Sequence, residues 1–153
     1  MKTTIDHINI VVRDLDRSVR FYTELLDMEI TRRAHLEGAW IESVTGLPGV
    51  EAEVVYVQPR GGGPRIELIH YHSPAGMELP ACSRANTAGL RHVALRVEDI
   101  DQTHARLRAA GVAFIGAPAS VPGEVVQHDA GQKRLCYFHD PDGVLLELAE
   151  YRV

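Results

Sequence analysis

Apolar and polar residues alternate along two short segments of the chain, residues 5–12 and 90–97. An alternation with a period of two is typical of a β-strand that buries one face. Each segment is followed by a pair of aspartates that can accept hydrogen bonds at the N-terminus of a helix; the pairs are Asp14 with Asp16, and Asp99 with Asp101. The pattern therefore predicts a strand followed by a helix at two places.

Both predicted helices carry an apolar stripe, and an apolar segment follows each of them. The first stripe contains Val19, Tyr22, Leu25 and Leu26; the second contains Ile100, His104 and Leu107 and stops at Gly111, a typical C-terminal breaker. The following apolar segments end at Ile30 and Ile115 and are predicted to be strands.

Two hairpins complete the pattern. Their strands are predicted at residues 52–58 and 65–71, around a Gly-Gly-Gly-Pro turn, and at 133–139 and 144–151, around Asp-Pro-Asp-Gly. Residues 38–47 fit a short helix as well as a strand. Residues 72–89 and 116–132, rich in Pro, Gly, Ala and Ser, are predicted to be a linker and a long loop.

The two halves of the chain resemble each other. Residues 7–16 align without a gap with residues 92–101, at an offset of 85, and Glu67-Leu-Ile-His-Tyr resembles Glu147-Leu-Ala-Glu-Tyr. The chain is therefore predicted to be α+β, with two βαβββ modules at 1–72 and 90–153 joined by a linker at 73–89, in one domain over residues 1–153.

Composition narrows the function classes. The chain has 153 residues, 45% hydrophobic and 24% charged, which is usual for a globular domain of this length. No apolar stretch reaches the ~18 residues of a membrane span, and the net charge of −5 argues against nucleic-acid binding. The N-terminus lacks a secretory signal, and Cys82 and Cys136 have no metal-ligand spacing, so we expect a cytoplasmic protein with free thiols.

Four side chains of metal-ligand type are predicted to lie on one polar strand face in the two modules. Because side chains alternate along a strand, His7 and Asn9 share a face, as do His92 and Arg96. By the same alternation, Glu67 lies on the face opposite that of its buried neighbours Ile66 and Leu68. Glu147 has the equivalent position in the second module. The candidate metal ligands are therefore His7, Glu67, His92 and Glu147.

This ligand set favours a catalytic divalent metal. Imidazole nitrogen and carboxylate oxygen suit Zn, Ni, Co, Fe or Mn. Four protein ligands on an octahedral ion leave two adjacent positions for water or a chelating substrate. The other six histidines lack such a repeat-related pattern and are interpreted as structural or surface residues; they are His35, His70, His72, His104, His128 and His139.

The order and spacing of four segments resemble those of the vicinal oxygen chelate superfamily, which includes glyoxalase I, methylmalonyl-CoA epimerase, extradiol dioxygenases and bleomycin resistance proteins. The segments are His7 with residues 12–22 (VRDLDRSVRFY), 65–69 (RIELI), 89–97 (GLRHVALRV) and 138–148 (FHDPDGVLLEL). The resemblance implies that paired modules form an open cup of mixed sheet with helices outside. It also implies that the four candidate ligands hold one ion per chain.

The resemblance implies enediolate chemistry stabilised by the metal, with Glu147 or Glu67 as the catalytic base, in a lyase or isomerase. Glutamate at position 67 favours the glyoxalase-like branch over the epimerases, which carry glutamine there. An extradiol-type dioxygenase and a non-catalytic binding or resistance protein are the alternatives.

Three further residues are predicted to contact a small-molecule substrate: Asn9, Tyr71 and Arg96. Arg96 fits a surface charge equally well. Val11 and Tyr71 stand where glyoxalase I proteins of bacteria carry an arginine and an asparagine associated with glutathione, so we expect glutathione to be a poor fit. Members of the family are commonly dimers, which predicts a homodimer here.

Overall fold

A computed structural model describes residues 3–78, 84–122 and 131–152 of the chain. The chain divides into two compact units, Met1–Glu78 and Leu79–Val153. The first unit contains β1 (His7–Val11), α1 (Leu15–Arg20) with a π-helical continuation (Phe21–Leu25), β2 (Met28–Glu37), α2 (Ala39–Thr45), β3 (Glu51–Pro59) and β4 (Arg65–Ser73). The second contains β5 (His92–Arg96), α3 (Ile100–Ala109), β6 (Ala119–Ser120), β7 (Gln132–His139) and β8 (Leu145–Arg152).

Each unit has one open four-stranded sheet, and the two sheets have the same topology. Their strand orders are β1-β4-β3-β2 and β5-β8-β7-β6. The first pair in each order is parallel and the other pairs are antiparallel. The prediction of a duplicated α+β fold with mixed sheets is confirmed.

The entry into each unit follows the sequence closely. Ile10 and Val12 are buried, as the predicted apolar face of β1 requires. The carboxylate of Asp14 accepts a hydrogen bond from Arg17 N at 2.9 Å, and that of Asp99 accepts one from Gln102 N at 2.9 Å. Of each aspartate pair, the first residue is therefore the helix cap.

The two units differ most between the helix and the hairpin. In the first unit, Ile30 lies within the ten-residue β2, and the ambiguous segment 38–47 contains the helix α2, which buries Ile41 and exposes Trp40. In the second unit, the predicted strand ending at Ile115 forms only an isolated bridge from Phe114 to Phe138. The short β6, inside the predicted loop 116–132, pairs farther along the same strand, with Arg134 and Leu135 of β7.

Other predictions have simple outcomes. Cys136 is a buried free thiol whose pKa burial raises to about 11, whereas Cys82 and His128 lie outside the described residues. Within the described residues, no helix is long and apolar enough to cross a membrane.

Candidate functional site

The first unit brings His7 and Glu67 together on the exposed face of its sheet. β1 and β4 are parallel, with Asn9 opposite Glu67. This register sets His7 Nε2 3.3 Å from Glu67 Oε2. The predicted pairing of a histidine with a glutamate is therefore present within this unit, and we call His7 and Glu67 the first half-site.

Two neutral donors stabilise the carboxylate of Glu67. Asn9 Nδ2 donates to Glu67 Oε2 at 2.7 Å, and the hydroxyl of Tyr56 donates to Oε1. Burial raises the pKa of Tyr56 to about 12, and its bond to Glu67 adds to the shift. Tyr56 therefore stays a neutral phenol that donates to Glu67.

Asp6 orients the imidazole of His7. His7 Nδ1 lies 2.8 Å from Asp6 Oδ2, and Arg65 Nη2 donates to the same oxygen at 2.6 Å. The bonds from His7 and from Arg65 lower the pKa of Asp6. Because an ionised carboxylate only accepts, the proton is assigned to Nδ1, and the Nε2 of a neutral His7 directs its lone pair towards Glu67.

The second unit repeats the pair with His92 and Glu147, which we call the second half-site. His92 Nε2 lies 3.4 Å from Glu147 Oε2. Tyr137 is opposite Glu147 in the register of β7 and β8, and its ring centroid is 5.2 Å from that of His92. Burial and the charge of Glu147 raise the pKa of Tyr137, so it too remains a neutral phenol.

A lysine compensates the charge of Glu147. The side chain of Glu147 is only 3% exposed, and Lys133 Nζ lies 2.9 Å from its Oε1. The contact is an ion pair without the angles of a directed hydrogen bond, since Oε1 accepts none. Glu147 raises the pKa of Lys133, which keeps the ammonium charged.

The donor chemistry of both half-sites fits a divalent cation. In each, an imidazole nitrogen and a carboxylate oxygen face each other at 3.3 or 3.4 Å. Two lone pairs in this position repel each other unless a proton or a cation lies between them. Nitrogen and oxygen ligands suit the borderline metals, and the hydrogen bond that His7 donates to Asp6 is the kind of contact that orients metal-binding histidines. Within the described ranges, no group of three or more His, Cys, Asp or Glu side chains could hold a metal.

The predicted substrate contacts have different surroundings. Asn9 is committed to Glu67 by its hydrogen bond. Tyr71 packs against the buried apolar cluster of the first unit, which consists of Ile41, Val50, Ala52, Val54 and Ile69. Arg96 is exposed, and its guanidinium carbon lies 5.0 Å from the centroid of the Tyr151 ring.

Sequence reasoning missed Asp6, Tyr56, Lys133 and Tyr137. The two tyrosines had a signal, because each occupies the third β-segment of its repeat at the same parity. Their pairing with glutamates depends on hairpin register, which the turn sets. Asp6 and Lys133 have no counterpart in the other repeat, so the internal comparison gave no reason to select them.

The family model for the Glyoxalase/Bleomycin resistance protein/Dioxygenase superfamily matches residues 4–148. The chain belongs to this superfamily. The predicted resemblance is thereby confirmed over nearly the whole chain.

Superfamily relatives include proteins named for different reactions. The chain is 29% identical to a 2-epi-5-epi-valiolone epimerase from Actinomyces sp. over 94% of this chain and 77% of that one. It is also 29% identical to a probable lactoylglutathione lyase from Vibrio cholerae, over 94% of this chain and 88% of that one. A glyoxalase family protein from Bacillus cereus has a similar structure, with a TM-score of 0.83 and 32% identity over 100% of this chain and 97% of that one. The relatives of the chain thus include one named as a lyase and one named as an epimerase.

Proposed function

We propose that the chain is a divalent-metal-dependent enzyme of the glyoxalase and epimerase type, a lyase or isomerase acting on a small oxygen-chelating metabolite. The observation that carries the proposal is the repeated half-site, in which a histidine nitrogen and a glutamate oxygen face each other in both units. Relatives named as a lyase and as an epimerase support the reaction class.

His7, Glu67, His92 and Glu147 would hold one ion of Zn, Ni, Co, Fe or Mn per chain. Each half-site supplies two donors, fewer than the three or four protein ligands that such ions take. When bound, the ion supplies a Lewis acid that polarises the substrate oxygens and acidifies the adjacent C–H bond.

Glu67 is the better of the two candidate bases. Its side chain is 14% exposed, whereas that of Glu147 is 3% exposed and paired with Lys133. A general base must reach the proton that it abstracts. The phenol of Tyr56 and the amide of Asn9 hold the Glu67 carboxylate in a fixed orientation for that role.

Solvent exchange tests the reaction class. With metal-loaded protein in deuterium oxide and a panel of α-hydroxy acids, α-keto acids and their thioesters, deuterium is expected to enter the product at the carbon that loses its proton. Oxygen uptake with Fe(II) and a catechol, without such exchange, would indicate a dioxygenase instead. Protein purified without added metal that contains none and takes up none would indicate a binding protein.

Glutathione conjugates are expected to be poor substrates. Loss of a charge-assisted hydrogen bond costs about 1.5–3 kcal/mol, or roughly ten- to a hundredfold in binding. Val11 cannot replace an arginine, and Tyr71 is packed in an apolar cluster. Efficient turnover of the methylglyoxal–glutathione hemithioacetal with nickel-, cobalt- or zinc-loaded protein would contradict this expectation.

We also propose that the protein is cytoplasmic and forms a homodimer. The dimer is supported by the open edges of each sheet, at which a second copy can pair. Light scattering after size-exclusion chromatography is expected to give twice the 16.9 kDa of one chain. A monomer across the micromolar range would contradict the proposal.

A further inference from the structure

Two cations lie beside the second half-site and share one aromatic ring. The guanidinium carbon of Arg96 is 5.0 Å from the centroid of the Tyr151 ring, and Lys133 Nζ is 5.8 Å from the same centroid. Lys133 Nζ is also 2.9 Å from Glu147 Oε1. We call Arg96, Lys133 and Tyr151 the cation cluster.

The cation cluster lies on the same face of the sheet as the second half-site. Lys133 is opposite Tyr151 in the register of β7 and β8, two alternations away from the pair formed by Tyr137 and Glu147. Arg96 has the same parity as His92 on β5. A molecule bound at this half-site would therefore have the cation cluster beside it on the same surface.

The positive charge of the cation cluster exceeds what Glu147 neutralises. Lys133 balances the carboxylate. Arg96 is exposed and, among the described residues, has only the ring of Tyr151 as a charge-stabilising contact. A guanidinium above an aromatic ring keeps the N–H donors at its own edge available to an anion. One uncompensated positive charge thus faces the same surface as His92 and Glu147.

The fold itself does not require these cations. At the equivalent positions of the first unit, strand alignment gives Val11 for Arg96, Ala52 for Lys133 and Tyr71 for Tyr151. There the tyrosine packs on an apolar cluster. Only the tyrosine is common to both units, so the two cations are a property of the second unit alone.

We infer that Arg96 and Lys133 form an oxyanion subsite that binds a carboxylate or phosphate group of the substrate beside the second half-site. Arginine offers a planar fork that fits either group, and the ammonium of Lys133, which is ion-paired with Glu147, carries three N–H donors. The inference rests on the proposed function and defines its substrate class: a metabolite that carries an anionic group in addition to its chelating oxygens.

Lysine-selective NMR can test the subsite in metal-free protein. The sequence contains only two lysines, Lys2 and Lys133, so protein labelled with carbon-13 at lysine Cε gives two side-chain signals, which Lys133→Arg assigns. Titration with inorganic phosphate and with succinate, at constant ionic strength, is expected to shift the Lys133 signal saturably and leave Lys2 unchanged. Tighter binding of phosphate would indicate phosphorylated substrates, and tighter binding of succinate would indicate carboxylic acids.

Arg96→Ala is expected to weaken the tighter-binding anion at least tenfold, as loss of a charge-assisted hydrogen bond requires. The matched control is Arg108→Ala, which removes the same charge from an exposed position on α3 and is expected to leave the affinity unchanged. No saturable shift with either anion, or equal losses in the two variants, would overturn the subsite. Because no metal is present, this result is independent of whether the half-sites bind an ion.

Discussion

The two half-sites hold the same pair of side chains, a histidine and a glutamate, and each glutamate has a tyrosine opposite it, yet the charge of the glutamate is compensated differently. Glu67 receives neutral hydrogen bonds from Asn9 and Tyr56. Glu147 is more deeply buried and is paired with a charged lysine. Both units therefore have the pair of histidine and glutamate, while the groups around each carboxylate differ.

On each sheet face, the positions of the histidine and the glutamate can be distinguished from the positions around them. The pair of His and Glu is set by parallel register, Asn9 opposite Glu67 and Ala94 opposite Glu147. The neighbouring positions are free of that constraint, and they are apolar in the first unit and cationic in the second. The divergence favours a common metal-binding role with a different substrate contact from each unit.

The largest expected difference between the half-sites is in stability after loss of the glutamate. Glu147→Ala leaves Lys133, whose side chain is 17% exposed, without its partner, and is expected to lower the free energy of unfolding by about 3 kcal/mol. Glu67→Ala loses neutral hydrogen bonds and is expected to cost about 1–2 kcal/mol. Urea unfolding of metal-free protein measures both values.

Two controls sharpen this comparison. Adding Lys133→Met to Glu147→Ala is expected to restore part of the lost stability, because the unpaired charge is removed. In folded protein, both glutamate variants and His7→Ala are also expected to lose bound metal in elemental analysis. Retention of the parent's metal content by these variants would show that the ligand assignment is wrong.

Asp6 orients a histidine in the first unit only, since Arg91 stands at the equivalent place before His92. Asp6→Asn is expected to weaken metal binding about ten- to a hundredfold, as loss of such an outer contact typically does. Asp27→Asn removes the same charge from an exposed residue paired with Arg60 and is the matched control. Equal metal affinities of the two variants in competition with a chelator would exclude the orienting role.

The titration of Tyr56 tests the contact between its phenol and the carboxylate of Glu67. Absorbance near 295 nm in metal-free protein is expected to show Tyr56 ionising near pH 12, and Tyr56→Phe should remove that step. Since the unfolded phenol ionises at about pH 10, the unfolded state loses the proton first, and stability from Tyr56 is lost as the pH rises from 10 to about 12. Glu67→Gln should move the step to lower pH. An unchanged step in Glu67→Gln would show that Glu67 does not contribute to the shift.

Much of this arrangement was predictable from the sequence, because strand parity and internal repetition fix which residues share a face. That reasoning found His7 with Glu67 and His92 with Glu147. It did not find Lys133, since long-range side-chain pairing depends on the register of a hairpin whose turn permits several alignments. The sequence does not decide between helix and strand for α2, because Trp40, Ile41 and Val44 fit a helical stripe as well as a strand. In the structure only Ile41 of the three is buried.

The smallest expected effect on stability comes from exchanging the residues opposite the two glutamates, which are an asparagine in the first unit and an alanine in the second. Asn9→Ala gives the first unit the alanine that the second has at position 94, and it removes one hydrogen bond to Glu67. Because Asn9 is exposed to water, the expected loss of stability is only about 0.5–1 kcal/mol.

The reciprocal change transfers the amide to the second unit. Ala94 is opposite Glu147 as Asn9 is opposite Glu67, so Ala94→Asn sets a neutral donor beside the carboxylate that Lys133 normally balances. In a Lys133→Met background, it is expected to recover about 0.5–1 kcal/mol of unfolding free energy. In the parent, where the ammonium already compensates Glu147, the same substitution should have little effect. Recovery of the same size in both backgrounds would show that the gain arises from strand packing rather than from the carboxylate.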